Sequence, residues 1–112
     1  MHEIAVSCAL MDVVSAEVRR RGLRRVTEIR MSIGGLQGIE PRVLVSSFEM
    51  LAENTEMEGA ILAITRRPVR IYCRDCRTER VADRRFRCEA CQGDDVKILP
   101  GDGMTVDEIV CQ

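Results

Sequence analysis

The chain has 112 residues, 46% of them hydrophobic and 31% charged, which suits one compact domain or one domain with a small appended module and is too apolar for a disordered chain. Seventeen Lys and Arg against eighteen Asp and Glu leave a formal charge of −1, so bulk electrostatics supplies no attraction to nucleic acid or an anionic membrane. No apolar run approaches about 18 residues, which excludes a predicted transmembrane helix.

Residues 3–21 read as a helix. Ile4, Cys8, Met11 and Ser15 share one side, with Val6, Leu10, Val13, Val14 and Val18 close by. Glu3 near the start, Arg19 to Arg21 in the last turn and Gly22 just beyond match the helix dipole and a glycine cap. The same apolar stretch has the wrong polarity for a signal peptide, because His2 and Glu3 precede it and the basic cluster follows it. The expectation is a soluble intracellular protein. Val26–Ile33 alternates Ile29, Met31 and Ile33 with Glu28, Arg30 and Ser32, the pattern of a half-buried strand. Gly34, Gly35 and Gly38 end it. Pro41 then fits the first turn of a second helix, residues 41–54, with Leu44, Phe48 and Leu51 as its apolar stripe. Ala60–Arg67 reads as a second strand and Met104–Cys111 as a third that returns to the first sheet. Residues 1–68 plus 100–112 thus form one predicted domain, interrupted by a module at 69–99.

That module carries the strongest chemical signal. Cys73-Arg-Asp-Cys76 and Cys88-Glu-Ala-Cys91 are separated by the eleven residues 77 to 87. Each C-x-x-C turn sets two sulfurs on one side of a tight knuckle, and two knuckles supply a tetrahedron of thiolates, the signature of a structural zinc site with no open position. Zinc binding at such sites releases about 10–16 kcal/mol, which is folding energy for a module with little core of its own: Tyr72, Val81, Phe86 and Val96 are nearly all it offers. A redox C-x-x-C would sit in a longer βαβ chain, and disulfides do not suit an intracellular protein. Residues 66–97 hold ten basic against six acidic side chains. Arg74, Arg77 and Arg87 are placed to offset the −2 charge of a four-thiolate zinc centre, or else are solvated surface residues. Cys8 and Cys111, in elements that pack, read as small buried apolar residues rather than ligands.

The other candidate site is the amino terminus, Met1-His2-Glu3. The Met1 amine, the His2 amide nitrogen and the His2 ring close two short chelate rings, and Glu3 offers a fourth donor through its amide or its carboxylate. A planar nitrogen-rich set favours Ni(II) or Cu(II) over zinc or magnesium. A histidine at position 2 is weak evidence alone; here it is the one histidine of the chain.

Together with Ile33-Gly34-Gly35-Leu36, Pro41, Phe48, Glu58-Gly59-Ala60, Leu62, Pro68 and an acidic-hydrophobic last strand, these motifs resemble the HypA/HybF family of nickel metallochaperones along essentially the whole chain. The resemblance implies an α+β fold, two helices packed on a three-stranded sheet, with an inserted zinc-ribbon-like four-cysteine module. It implies Ni(II) as transient cargo, held by His2 with Met1 and Glu3, and structural Zn(II) held by Cys73, Cys76, Cys88 and Cys91. The sequence shows no nucleophile–base pair, phosphate loop or open catalytic zinc position, so the expectation is that it is not an enzyme, and its expected location is the cytoplasm. The implied partners are a HypB-type GTPase and the nickel-iron hydrogenase large-subunit precursor, with urease supplied by some relatives, and neither nucleic acid nor a membrane span. Many members carry a proline inside a knuckle, whereas Arg74-Asp75 and Glu89-Ala90 stand here. Glu40 lies where some relatives keep a carboxylate near nickel, but as the acid ahead of Pro41 it is more simply a helix cap. The rival readings are a zinc-ribbon adaptor, a nucleic-acid-binding module and a catalyst. Against nucleic-acid binding, the chain has one Tyr, two Phe and no Trp for base stacking.

Overall fold

The computed structural model describes residues 2–36, 38–101 and 103–112, the side chain of residue 2 excepted. Backbone packing divides the chain into two compact units, Met1–Ile33 with Gly38–Thr65 and Met104–Gln112, and Gly34–Gln37 with Arg66–Gly103. No helix among the described residues is long and apolar enough to cross a membrane.

The first unit opens with α1, His2–Arg21. Gly22 ends it at φ +65°, and the Leu23 amide reaches back to the Val18 carbonyl at 3.0 Å, a Schellman closure whose left-handed residue costs glycine nothing. β1, Val26–Gly34, follows. Then comes α2, Pro41–Ala52, with Glu40 as its N-cap and Pro41 in its first turn. β2 spans Ile61–Arg67 and β6 spans Met104–Cys111. The sheet order is β2-β1-β6, with β1 and β6 antiparallel. Their register slips once between Val26 and Glu28 and again between Arg30 and Met31. Asp107 is the extra residue of the second slip, and its carboxylate accepts the Ser32 and Thr105 hydroxyls, so the side chain that the bulge displaces is still satisfied. Leu10, Val14, Ile29, Met31, Ile33, Leu44 and Phe48, contributed by both helices and by β1, form one continuous core.

The helix stripes differ from the periodicity argument. In α1 the buried residues are Ser7, Leu10, Val14 and Val18, whereas Ile4 is 55% and Val13 44% exposed. The apolar residues of α1 nearly encircle it, and a stripe displaced by one residue is rotated by only about 100°, so composition could not choose the face. Cys8 lies on the exposed side of that choice. Cys111, the last residue of an edge strand, is exposed too, and the expectation that both thiols are buried fails. In α2, Leu44, Ser47, Phe48 and Ala52 are buried and Leu51 is exposed. That helix stops at Ala52 rather than 54, and Asn54 turns the chain at φ +63°.

The second unit holds three short strands, β3 Arg70–Cys73, β4 Thr78–Val81 and β5 Val96–Ile98. They pair antiparallel in the order β4-β3-β5. Its buried residues are Ile71, Cys73 and Cys88. Tyr72 and Phe86, two of the module's few apolar residues, are 37% and 46% exposed. The sulfur atoms do the packing that aromatic rings would otherwise do. Gly35 belongs to this unit by close approach: a Cβ there would lie 2.9 Å from the Arg67 carbonyl oxygen.

Candidate metal centre

β3 ends on Cys73, and the chain turns at once through Arg74 and Asp75 to Cys76. The second knuckle repeats the geometry at Cys88 to Cys91. In each, the residue after the second cysteine adopts positive φ, Arg77 at +57° and Gln92 at +62°. In each, that residue's amide donates to the carbonyl of the first cysteine, Arg77 to Cys73 at 2.8 Å and Gln92 to Cys88 at 2.7 Å. The second amide set turns toward sulfur: the Cys76 N–H lies 3.4 Å from Cys73 Sγ, and the Gly93 N–H 3.4 Å from Cys91 Sγ. The two turns therefore share one backbone geometry, while these amide–sulfur bonds fall on the first sulfur of one knuckle and the second sulfur of the other.

β3 and the Ala82–Cys88 bridge bring the knuckles face to face. All four sulfurs lie within 4.8 Å of one another. Cys73 and Cys91 sulfurs are 3.6 Å apart and Cys76 and Cys88 sulfurs 3.9 Å apart. A tetrahedron with Zn–S bonds of about 2.3 Å has sulfur–sulfur edges of about 3.8 Å, so these two distances match it and the four thiols could hold a zinc ion with no ligand position left over. Cys73 and Cys88 are buried, Cys76 is half-buried and Cys91 is exposed.

The thiols differ in acidity. The amides of Cys91 and then Ala90 stabilise the Cys88 thiolate against the cost of burial and lower its pKa to about 7. For Cys91 the Gly93 amide pulls the pKa down, but the neighbouring Cys73 and Cys76 sulfurs and burial outweigh it and push it up to about 12. A zinc dication reverses that second effect by removing the penalty for gathering negative sulfurs.

The basic residues are allotted differently from the sequence expectation. Arg74 pairs with Asp95 at 2.8 Å and Arg87 with Asp83 at 3.2 Å, and Arg77 serves as a turn residue. The Cys76 thiol is pushed up overall: the Cys91 sulfur lowers its pKa, the Cys73 sulfur and burial outweigh that, and Arg80, on β4, favours the thiolate only as a smaller contribution. Strand alternation signals Arg80 only after Thr78–Val81 is known to pair with Arg70–Cys73.

At the other candidate site, Met1 and the side chain of His2 lie outside the described residues. Glu3 sits in the first turn of α1, and its Oε2 accepts the Glu40 amide at 3.0 Å. That bond, with the Glu3 amide second, holds its carboxyl below the usual carboxylate range. Glu40 caps α2, its carboxylate accepting the Arg42 amide at 3.3 Å. The beginnings of α1 and α2 are thereby joined through Glu3 and the Glu40 backbone.

A family model described as hydrogenase/urease nickel incorporation metallochaperone HypA matches residues 1–111. The hydrogenase maturation factor HypA of Moorella thermoacetica is 32% identical over 108 residues, 96% of each chain. The HypA of Paracoccus denitrificans is 32% identical over 107 residues, 95% of each chain. The solution structure of the Ni metallochaperone HypA from Helicobacter pylori superposes with a TM-score of 0.67 at 24% identity, over 99% of this chain and 97% of that one.

Proposed function

This chain belongs to the HypA family of nickel-incorporation metallochaperones, and on that premise we propose that it takes up one Ni(II) at its amino terminus and hands it to a nickel-iron hydrogenase precursor. The match of the family model across residues 1–111 carries this reading. The proposed donors are the Met1 amine, the His2 amide and ring nitrogens, and Glu3. The bond from the Glu40 amide to the Glu3 carboxylate supports it, because it steadies the backbone that would present those donors. With one carboxylate oxygen so used, Glu3 is better suited to give its amide nitrogen than to act as a carboxylate ligand. Glu40, occupied as a cap, is assigned no ligand role.

Zinc at Cys73, Cys76, Cys88 and Cys91 has a different duty. Four thiolates saturate it, so it shapes the module and does not exchange with cargo. A shallow terminal chelate exchanges readily, because an incoming donor can displace its ligands one at a time. A GTPase of HypB type fits as the exchange partner and the hydrogenase large-subunit precursor as recipient, with no catalytic step performed by this chain. The amine and imidazole must lose protons to bind, so nickel affinity falls as pH is lowered.

Calorimetric titration tests the assignment. Untagged protein is expected to bind one nickel per chain, His2→Ala to lose it and retain zinc, and an amino-terminal tag to weaken it. Unchanged affinity in His2→Ala refutes the site.

A further inference from the structure

β6 is an edge strand: it pairs with β1 on one side, and among the described residues no strand pairs with its other side. An open edge of eight residues is a template for another chain. Such edges are commonly blunted by lysine, by proline or by a covering element, and Met104–Cys111 holds no Lys, Arg or Pro. β2, the opposite edge, ends in Arg66 and Arg67.

The register to β1 sorts the side chains of β6. Met104, Val106 and Ile109 lie opposite Ile33, Met31 and Ile29, all core residues, and so turn toward the helices. Thr105 lies opposite Ser32 and Glu108 opposite Arg30, on the outer face. The bulge adds a second carboxylate to that face, since Asp107 accepts the Ser32 and Thr105 hydroxyls. Arg30 is shared between Glu28 and Glu108, so one guanidinium serves three carboxylates there, Asp107 included. β6 is thus apolar inward and acidic outward.

A groove of about 420 Å³ runs beside this strand, walled by Val13, Glu17 and Arg21 of α1 and by Val106 to Ile109 of β6. The three helix residues recur every fourth position and so form one stripe along the strand. Val13 is 44% exposed, and Val106 and Ile109 are half-buried, which leaves an apolar lining within reach of a guest. Arg21 is matched by Glu17 at 3.4 Å, so the carboxylates of β6 set the sign of the groove.

We propose that an extended segment of another protein adds to this sheet as a fourth strand beside β6, and that the segment alternates apolar side chains with lysine or arginine. Main-chain hydrogen bonds to β6 supply affinity, and alternate side chains supply selectivity. One set of guest side chains packs on Val13, Val106 and Ile109, and the other carries its charge to Asp107 and Glu108 on the outer face. The contact needs no nickel, so its failure leaves the nickel reading intact.

Nuclear magnetic resonance titration of the zinc-loaded full chain tests this, with a synthetic peptide that alternates valine and lysine over the length of β6. Saturable shifts are expected in residues 104–111 and around Val13, Glu17 and Arg21. A peptide of equal composition with its valines and lysines in two blocks, and one with glutamate for lysine, are each expected to bind at least about tenfold more weakly. N-methylation of every second peptide residue is expected to abolish binding in one phase and spare it in the other, because alternate residues direct their main-chain groups to opposite edges of a strand. Val13→Lys is expected to weaken binding about tenfold, and Glu108→Lys to prefer the glutamate peptide. Both replace exposed side chains, and zinc content with native circular dichroism verifies their fold. Absence of saturable shifts, shifts centred on β2, β4 or β5, or equal binding of the block peptide overturns the proposal. So does equal binding of the two N-methylated peptides, a folded Val13→Lys of wild-type affinity, or a folded Glu108→Lys of unchanged preference. The wild-type shift map and the peptide series decide the matter even where a variant fails to fold.

Discussion

Glu40 performs two tasks in one turn, and they separate by substitution. Its carboxylate caps α2 by accepting the Arg42 amide, and its own amide bonds Glu3. Glu40→Ala removes only the cap and is expected to cost about 1 kcal/mol in denaturant unfolding. Nickel affinity in Glu40→Gln is expected to match wild type, since the amide to Glu3 persists; a marked loss in calorimetry would restore Glu40 as a ligand. Gly35 shows a residue whose necessity is steric. Alanine there meets the Arg67 carbonyl at 2.9 Å and Val69 Cγ2 at 3.0 Å, and the backbone has to yield. Gly35→Ala should lower stability by about 1–3 kcal/mol, read as a shift in the denaturation midpoint. The Gly34-Gly35 pair and the strand ending at Arg67 are both plain in the sequence, but their close approach is not. Cys8 and Cys111 make the converse case: their chemistry is legible, and their exposure depends on which way α1 is rotated and which strand lies at the edge.

At the scale of elements, the two knuckles obey local rules and the strands beside them do not. A C-x-x-C spacing by itself closes a turn. β3, β4 and β5, of four, four and three residues, are too short for periodicity to reveal; they exist because metal-ready turns hold their ends together. Metal supply should therefore control them. Proton release on zinc binding gives a quantitative check. At pH 7 a Cys88 pKa of about 7 leaves that thiol partly ionised, while Cys91, raised to about 12, is protonated. Zinc binding therefore releases protons from these thiols, measurable by calorimetry in buffers of different ionisation enthalpy. The sign follows: zinc affinity rises with pH through neutrality. Below about pH 7 it falls more steeply, because Cys88 then also has to release a full proton.

Across the whole molecule, each unit keeps a core of its own: Leu10, Phe48 and their neighbours in one, Ile71 with Cys73 and Cys88 in the other. Only the second core contains the cysteine sulfurs. Chelation of zinc is thus expected to free the amides of residues 70–98 to hydrogen exchange while those of α1, α2 and β1 stay protected. Simultaneous exchange of both units would show that they fold as one. Cys76→Ser should reproduce the pattern without chelator. In contrast, Phe48→Ala should destabilise the helical unit by about 3–5 kcal/mol and leave bound zinc in place.

The sequence by itself determined what depends on spacing along the chain. It set the helix ends marked by Gly22 and Pro41, the alternation of β1, the two cysteine knuckles and the terminal Met1-His2-Glu3 run, since these need only near neighbours and fixed backbone geometry. Tertiary structure alone decided what depends on which surfaces meet. Those outcomes are the face of α1 that turns inward, the arginine that sits beside sulfur, the bond from Glu40 to Glu3, and the exposure of Phe86. Each is settled by contacts between residues far apart in the chain, where several placements share one local pattern and packing selects among them.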